Sequence, residues 1–450
     1  MRLCAILLFA LCALAPPAAN AQWLEATIEL PIVSIPMSMV ANPTGTKLYV
    51  TNVNSDSSCI HVIDAVNNTL SGKIPCGASP GSLCLNTEGN KLYVPIPDGR
   101  ITVIDAMADT VIKDLSTGRY PGGLCYYAAR GRLYCGCGDD NTLVVIDAGP
   151  DTIIRRIPLP YTAAYLCLNE AEDKLYVSIS ASPWIEVVDC SADTISGHIT
   201  LPSSLGPVCL STQQNRLFCA DPDSLVLVVD CAADTFVPPP IRIGLWPLLG
   251  CYSPAQDKAY FGTYAGQDVS IIDCATDSLR ATIGFPSIPW GMCADSVSGN
   301  VYCTSRQSNQ VLILDGAGDS VLATVTVGEL PGTAYWGAGR HRAYVANENG
   351  HSISVLRDSP GAVAESMNDG RETVNAGPTI VRGVLNLEVG SRQQTADRTE
   401  LLDAAGRKVV DLHSGKNGVS RLAPGVYFIS PGPAAEIGRP STIRRIIVAE

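Results

Sequence analysis

The side chains best suited to binding a ligand stand in polar, turn-forming stretches between apolar runs. They combine aromatic rings, carboxylates and one arginine: Tyr120, Asp139, Asp140, Trp184, Asp221, Asp223, Trp246, Trp290 and Arg306. Aromatic faces attract cations and offer a flat apolar surface, and carboxylates bind Ca²⁺. These groups favour a site for a saccharide or a protein, with Ca²⁺ as a candidate ion. The competing interpretation is an ordinary solvated loop rim.

Catalytic signatures are weak in comparison. The sequence shows no serine nucleophile elbow, no zinc-binding helix, no phosphate loop and no EF-hand. Its five histidines are scattered along the chain. Asp139, Asp221 and Arg306 are the groups that a hydrolase or lactonase would use, and this enzymatic reading stays open as an alternative to a binding role.

Cysteine is the most unusual residue type, with seventeen copies. Six occupy an equivalent place nine residues before a repeating aromatic residue: Cys84, Cys125, Cys167, Cys209, Cys251 and Cys293. No CxxC or CxxCH motif accompanies them, which disfavours a metal cluster or attached haem. We interpret these six as small apolar packing residues.

Other cysteines suggest disulfides within a hairpin. The pairs Cys125/Cys135, Cys209/Cys219 and Cys293/Cys303 are each ten residues apart and bracket a predicted turn, and Cys59 and Cys76 bracket another. A secreted chain permits such bonds, but cross-strand geometry is often strained, so free buried thiols fit equally well.

The elements that position these residues come from an internal repeat. Its aromatic residue recurs about every 42 residues: Tyr49, Tyr93, Tyr134, Tyr176, Phe218, Tyr260, Tyr302 and Tyr344. Each unit contains four short β-strand patterns separated by Gly, Asn, Asp and Pro, as expected for one blade of a β-propeller. The third-strand pattern occurs eight times, so we predict an all-β fold with an eight-bladed propeller, and a seven-bladed ring is the alternative.

Ring closure follows from a missing strand. The last repeat lacks a fourth strand after Leu356, whereas residues 26–30 form an extra strand pattern before the first repeat. We predict that this N-terminal strand completes the last blade and so removes the open edges.

An aspartate ends the third strand in nearly every repeat, and a second aspartate often follows it, as in Asp105 and Asp109. A carboxylate ring is one interpretation. We favour a structural role, in which these short side chains accept backbone N–H groups in the turn that follows.

The repeat resembles a known family. The run Lys47-Leu48-Tyr49-Val50-Thr51-Asn52, followed by Val62-Ile63-Asp64-Ala65, is similar to the YVTN-type propeller repeat of bacterial and archaeal surface proteins. The resemblance implies the propeller fold over about 330 residues. It implies no single function, because such propellers serve as surface-layer, adhesion, binding and occasionally enzymatic modules.

The chain ends and the composition indicate export. Residues 1–21 carry Arg2, an apolar run and Ala19-Asn20-Ala21, which is typical of a secretory signal peptide. No later stretch is long and apolar enough to predict a membrane span. A net charge of −12 disfavours a nucleic-acid partner.

A second, smaller domain is expected after a linker. Residues 22–357 form the predicted propeller, 358–378 the linker, and 379–450 a small Ig-like β-sandwich. The hairpin at residues 403–409 and the Pro-Gly-Val-Tyr-Phe run resemble the C-terminal sorting domain of the bacterial type IX secretion system. That resemblance implies contact with the secretion machinery and delivery to the outside or to the outer-membrane surface.

The sequence therefore predicts a secreted or cell-surface, non-catalytic propeller that binds a protein or a saccharide. A channel-mouth hydrolase or lactonase and a structural surface-layer-like protein are the alternatives.

Overall fold

The computed structural model describes residues 23–358, apart from 55–57, 87, 89 and 181, and the backbone of strands between residues 379 and 448. The predicted signal peptide and most of the predicted linker lie outside the described residues. The chain separates into two compact units, residues 1–364 and 365–450.

The first unit contains eight antiparallel four-stranded sheets, which are the blades of a propeller. The first half of the strands, in chain order, is β1 (Trp23–Glu29), β2 (Pro36–Ala41), β3 (Lys47–Asn52), β4 (Cys59–Asp64), β5 (Thr69–Pro75), β6 (Cys84–Asn86), β7 (Lys91–Ile96), β8 (Arg100–Asp105), β9 (Thr110–Ser116), β10 (Pro121–Tyr127), β11 (Arg132–Cys137), β12 (Thr142–Asp147), β13 (Thr152–Pro158), β14 (Ala163–Asn169), β15 (Lys174–Ile179), β16 (Trp184–Asp189) and β17 (Thr194–Thr200). The second half is β18 (Val208–Ser211), β19 (Arg216–Ala220), β20 (Leu225–Asp230), β21 (Thr235–Arg242), β22 (Pro247–Ser253), β23 (Lys258–Thr263), β24 (Asp268–Asp273), β25 (Ser278–Gly284), β26 (Pro289–Ala294), β27 (Val301–Ser305), β28 (Gln310–Asp315), β29 (Ser320–Thr326), β30 (Pro331–Gly337), β31 (Arg342–Asn347) and β32 (Ser352–Arg357). Single 3₁₀ turns lie at Ala128–Arg130 and Ala338–Arg340.

Blades are numbered in chain order. Blade 1 is β2–β5, each following set of four strands forms the next blade, and blade 8 is β30, β31, β32 and β1. The first strands of neighbouring blades approach each other, so they form the innermost layer around the central axis. The predicted eight-bladed ring is confirmed.

The N-terminal strand closes the ring, as predicted. β1 pairs antiparallel with β32, from Trp23 opposite Arg357 to Glu29 opposite Ser352. Arg342 of β31 adds an ion pair with Glu25 and also donates to the Ala65 carbonyl of blade 1. The last blade therefore gains its outer strand from the start of the chain, and its edge is not left unpaired.

The core consists of an apolar layer between each pair of blades. In β3, Leu48 and Val50 pack against blade 8, whereas Tyr49 packs against blade 2. All three side chains are fully buried. Because both faces of a blade are covered, the inner strands are almost uniformly apolar instead of alternating with polar residues.

The two recurring aspartates have different roles. Asp105, at the end of β8, accepts the backbone N–H groups of Met107 and Ala108 at 2.8 and 3.0 Å, as predicted. Asp109 instead accepts bonds from the preceding blade, from Lys47 Nζ at 2.7 Å and the Tyr49 hydroxyl at 2.9 Å. The prediction of a local turn role is wrong for this second aspartate, because its left-handed backbone, with φ of 56°, directs it away from its own turn.

The hairpin disulfides suggested by the ten-residue spacing do not fit the strand register. Cys125 lies opposite Tyr134, and Cys135 lies opposite Leu124. The same offset of one residue separates Cys209 from Cys219 and Cys293 from Cys303. Because successive side chains point to opposite faces of a sheet, the two thiols of each pair lie on different faces.

The second unit is also all β. Its strands are β33 (Thr379–Val381), β34 (Val384–Leu387), β35 (Thr399–Leu402), β36 (Lys408–Leu412), β37 (Gly415–Gly418), β38 (Gly425–Pro431) and β39 (Arg444–Val448). Five of them form one mixed sheet in the order β33-β39-β38-β35-β36, and β34 pairs with β37. The hairpin turn at residues 403–407, which carries much of the sorting-domain resemblance, lies outside the described residues. In the described part of the chain, no helix is long and apolar enough to cross a membrane.

Candidate binding site on the upper face

Two sets of loops meet on one face of the propeller, which we call the upper face. One set joins the fourth strand of a blade to the first strand of the next, and the other joins the second strand to the third. Backbone bonds tie the sets together: Tyr264 N–H donates to the Trp246 carbonyl at 2.8 Å, and Arg306 N–H donates to the Ile288 carbonyl at 3.1 Å. These bonds hold the start of each first strand beside the loop that joins the second and third strands of the same blade.

Two exposed aromatic residues at this face have a left-handed backbone. Tyr120 has φ of 51° and Trp246 has φ of 58°, and each directly precedes the proline that starts a first strand. Both side chains are 53% exposed. Bulky residues seldom adopt this conformation, and it is found mainly where the surrounding structure enforces it, often at functional sites. The fold thus holds two large rings out toward solvent.

Trp246 belongs to an aromatic pair on blade 6. Its ring centroid lies 6.0 Å from that of Tyr264, at an interplanar angle of 37°. Tyr264 is 42% exposed, and Leu248, two residues after Trp246, is 39% exposed. Together they form an exposed apolar patch at the start of a first strand.

A second cluster on blades 7 and 8 joins an aromatic ring to an ion pair. The Arg306 guanidinium carbon lies 4.3 Å from the centroid of the Trp290 ring. Arg306 Nη1 donates to Glu348 Oε1 at 2.7 Å, and Nη2 donates to Oε2. A Cβ at position 332 would overlap the Glu348 carboxylate, so the glycine at this position leaves room for the Glu348 side chain.

This cluster is ordered before any ligand arrives. A bidentate arginine–carboxylate pair fixes the guanidinium plane, and that plane supports the indole by a cation–π contact. The ion pair is largely buried, whereas Trp290 is 41% exposed. The arrangement presents a rigid aromatic face with polar groups at its back.

The clusters on blades 6, 7 and 8 follow the repeat. Tyr264, Arg306 and Glu348 occupy equivalent positions 42 residues apart, directly after the second strand, and Leu248 and Trp290 are likewise 42 apart. The sequence analysis missed Tyr264, although the repeat spacing places it at the position equivalent to Arg306 and Glu348. We call Leu248, Trp246, Tyr264, Trp290, Arg306 and Glu348 the aromatic sector.

A separate group lies on blade 3. Arg119 approaches the Tyr120 ring to 5.7 Å and Asp139 to 3.8 Å. The Asp140 carboxylate lies against Gly118. The side chains of Arg119 and Asp139 are 70% and 49% exposed, so their interaction is weak and screened by solvent.

The other candidates lie elsewhere. Trp184 starts the third strand of blade 4, toward the outer edge, with the His198 ring 6.5 Å away. Asp221 is 1% exposed and accepts bonds from the N–H groups of Asp223 and Leu225 at 2.9 and 2.8 Å, so its carboxylate organises its own loop. Asp223 is exposed.

Two features bear on the hydrolase alternative. The expectation that the chain carries no nucleophile-elbow spacing is wrong, because residues 77–81 read Gly-Ala-Ser-Pro-Gly, and Ser79 has φ of 51°. An elbow needs a strand followed by a helix, whereas this segment joins β5 to β6. The Ser34 hydroxyl lies 3.1 Å from His61 Nε2, but Ser34 and His61 are 1% and 2% exposed, so a substrate cannot reach them.

No cluster of metal ligands accompanies the aromatic sector. Among the described residues, no group of three or more His, Cys, Asp or Glu side chains is placed to hold an ion.

Comparison with known proteins identifies the fold alone. No protein-family model matches the chain, and no curated protein does. Similar solved structures include hydrazine synthase from Kuenenia stuttgartiensis, at 17% identity and a TM-score of 0.51, covering 74% of this chain and 98% of that one. The computationally designed protein Ika8 gives 13% and 0.62, covering 75% and 100%, and dihydro-heme d1 dehydrogenase NirN, solved in complex with DHE, gives 13% and 0.63, covering 79% and 80%. At such identities these neighbours support the propeller and carry no functional assignment.

Proposed function

We propose that the protein is a secreted or surface-displayed, non-catalytic binding module of the YVTN-like type, and that a saccharide binds its aromatic sector. The observation that carries this proposal is the exposed Trp290 ring held in place by the Arg306–Glu348 pair. A rigid aromatic face with nearby polar groups gains affinity because little conformational freedom is lost on binding.

The aromatic sector also has a suitable extent. Trp246, Tyr264 and Trp290 lie on adjacent blades, and their exposed fractions range from 41% to 53%. An extended ligand would contact both clusters, with the apolar faces of its rings on the exposed aromatic side chains. The same sector would suit a protein partner, which the test below separates from a saccharide.

Export is the second part of the proposal. It is supported by the signal-peptide pattern of residues 1–21 and by the sorting-domain resemblance of residues 379–450. On this proposal, the C-terminal unit engages the type IX machinery, and a chain lacking residues 379–450 stays in the periplasm.

The deciding experiment is a thermal-shift screen of the mature chain, residues 22–450. The panel contains cell-wall and plant saccharides, lactones, and Ca²⁺ with a chelator control. A ligand present at 100 times its Kd stabilises the folded state by roughly 2.7 kcal/mol, which is a readily visible shift.

Matched variants place the site. Trp290→Ala should abolish the saccharide shift, whereas Trp184→Ala should retain it, since Trp184 is similarly exposed, at 36%, but lies outside the aromatic sector. A shift that survives Trp290→Ala would contradict the proposed site. Lactone turnover that is lost in Asp139→Asn would favour the hydrolase, and no shift across the panel would favour a structural or protein-binding role.

A further inference from the structure

The cysteines that are wrongly placed for hairpin disulfides meet other cysteines across the blade interfaces. Cys84, on the first strand of blade 2, packs into the same apolar layer as Cys135, on the second strand of blade 3. Cys167 and Cys219 share the layer between blades 4 and 5, and Cys251 and Cys303 share the layer between blades 6 and 7. The three pairs are equivalent by the repeat, with 51 or 52 residues between partners.

The interface of blades 5 and 6 shows which way the side chain of a first-strand cysteine points. A Cβ at Gly250 of blade 6 would come within 2.7 Å of the Cys209 sulfur of blade 5 and 3.1 Å of the Phe261 ring. Phe261 occupies the second-strand position that Cys219 and Cys303 occupy in blades 5 and 7. The thiol of a first strand therefore points at the second-strand position of the next blade.

The backbones of neighbouring blades approach each other near the central axis. Cα atoms of neighbouring first strands, such as β6 and β10, β14 and β18, or β22 and β26, lie within 8 Å of each other. The first strand of blade 5, β18, also comes within 8 Å of the second strand of blade 6, β23. Disulfides join residues whose Cα atoms are roughly 4.4–6.8 Å apart, so each proposed bond requires the first strand of one blade to approach the second strand of the next within that range.

We propose that Cys84–Cys135, Cys167–Cys219 and Cys251–Cys303 are the sites of three inter-blade disulfide bonds. In the present structure all six residues are free thiols. Each bond forms when two thiols lose two protons and two electrons to a disulfide oxidant such as glutathione disulfide, which is reduced to two thiols. This proposal stands independently of the ligand on the upper face.

The pattern of partners explains why only alternate interfaces would be linked. At the intervening interfaces the equivalent second-strand position is not a cysteine: Cys125 shares a layer with Val177, Cys209 with Phe261, and Cys293 with Val345. The first two of these layers also hold Cys190 and Cys274, which lie after the third strand and not at the second-strand position. The three pairs lie at every second interface, and the next interface in this alternation is that of blades 8 and 1. There Tyr335 and Val50 occupy the positions of the two cysteines. That interface is the one next to the closing strand β1.

Because the thiols are buried in the folded protein, the bonds would form during folding. Burial raises the pKa of the Cys84 thiol to about 11 and that of the Cys167 thiol to about 12. Cys219 and Cys303 are fully buried in the folded chain. Since the thiolate is the attacking species, oxidation of the folded protein is slow, and the bonds form while the blades assemble.

The experiment maps the cysteines of the mature chain, residues 22–450, after refolding with reduced and oxidised glutathione. Free thiols are alkylated under denaturing conditions, and cross-linked peptides are identified by mass spectrometry. We expect the three named cross-links and nine alkylated cysteines out of fifteen. Cross-links between other cysteines, or fifteen alkylated thiols, would overturn the proposal.

Two single variants sharpen the result. Cys135→Val introduces the residue that blade 4 carries at this position, Val177, and so should fold; it should lose the Cys84 cross-link and keep the other two. The matched control, Cys125→Ala, alters the equivalent first-strand thiol of blade 3 and should keep all three. Loss of any of the three cross-links in the control would contradict the assignment.

Stability gives an independent readout. Each bond closes a loop of about 50 residues, so the refolded, oxidised chain should melt roughly 5 °C or more above the same chain treated with a phosphine reductant. The variant in which Cys135, Cys219 and Cys303 are all replaced by Val should melt at the same temperature with and without reductant. If the melting temperature of that variant still changed with reductant, the assignment of the three bonds would be wrong.

Discussion

At the scale of single residues, the acidic side chains are largely engaged in contacts within the fold. Asp221 organises its own loop, Glu348 pairs with Arg306, and Asp151 accepts bonds from Lys91. A chain with net charge −12 thus has fewer free carboxylates at the aromatic sector than its composition suggests. The exposed groups of that sector are aromatic rings, which offer flat apolar surfaces to the sugar rings of the proposed saccharide.

One buried histidine should make stability depend on pH. His61 lies in β4, with Ser34 at 3.1 Å and Lys73 opposite it on β5. Burial, and then the positive charge of Lys73, lower the pKa of His61 below its usual value. The unfolded chain therefore binds the proton first as the pH falls, so the stability due to neutral His61 is full above about pH 6.5 and is lost below it.

The expected result is a smaller loss of stability in His61→Gln than in the wild type between pH 7 and pH 5. A single group contributes at most about 1.4 kcal/mol for each pH unit. Urea unfolding at the two pH values measures the difference, with His198→Gln, at an exposed position, as the control. An unchanged pH dependence in His61→Gln would show that another group titrates.

At the scale of elements, the blades are joined by a repeated polar contact on the face opposite the aromatic sector. The first residue of a second strand, a lysine or arginine, reaches the turn aspartate of the next blade: Lys47–Asp109, Lys91–Asp151, Arg132–Asp193, Lys174–Asp234, Arg216–Asp277 and Lys258–Asp319. In several blades the repeat tyrosine donates to the same carboxylate. The Lys-x-Tyr pattern of the repeat therefore marks a second strand and also supplies the two side chains that bind the next blade.

Removing one tyrosine hydroxyl should measure this contact. Tyr93 is fully buried and donates to Asp151 at 2.7 Å. Hydrogen bonds to charged groups contribute about 1.5–3 kcal/mol, so Tyr93→Phe should lower the free energy of unfolding by that amount. Chemical denaturation of the mature chain provides the measurement.

Blade 6 supplies the matched control. Tyr260 occupies the equivalent position and is equally buried, but its hydroxyl has no hydrogen-bond partner in the described part of the chain. Tyr260→Phe should therefore change stability by less than about 0.5 kcal/mol, or increase it. Equal losses in the two variants would mean that the tyrosines act through packing alone.

At the scale of the whole molecule, ring closure depends on the strand β1 and the residues beside it, 22–30. β1 covers the edge of β32, and Glu25 pairs with Arg342, whose side chain also reaches blade 1. This closure joins the two ends of the propeller without a covalent bond. Among the alternate interfaces at which the repeat would place a thiol pair, it is the one that lacks such a pair.

Deleting residues 22–30 should open the ring. The uncovered edge of β32 would lower the melting temperature and promote self-association, because an unpaired strand edge is a template for another chain. Light scattering after size-exclusion chromatography and thermal unfolding measure both effects. A synthetic peptide of residues 22–30 should restore the melting temperature, a scrambled peptide should not, and an unaltered monomer after deletion would contradict this account of closure.

The architecture of the first unit could be predicted from the repeat alone. A repeat of about 42 residues with four strand patterns can bury its apolar residues only by stacking against copies of itself, so the blades, their number and the closing strand followed from spacing. The spacing also placed Trp246, Trp290 and Arg306 near one face. The order of the strands within a blade depends on residues close together in the chain, so it can be predicted from the sequence.

Which side chains meet depends on three-dimensional packing. The pairing of Arg306 with Glu348, which orients the guanidinium against Trp290, depends on how blade 7 is rotated against blade 8. The thiols show this most clearly, since the hairpin pair Cys125/Cys135 is ten residues apart yet lies on opposite faces, whereas Cys84 and Cys135 share one layer from different blades. A strand pattern fixes which residues face the same side, but the neighbour on that side belongs to another blade, and the distance across the interface is set by packing.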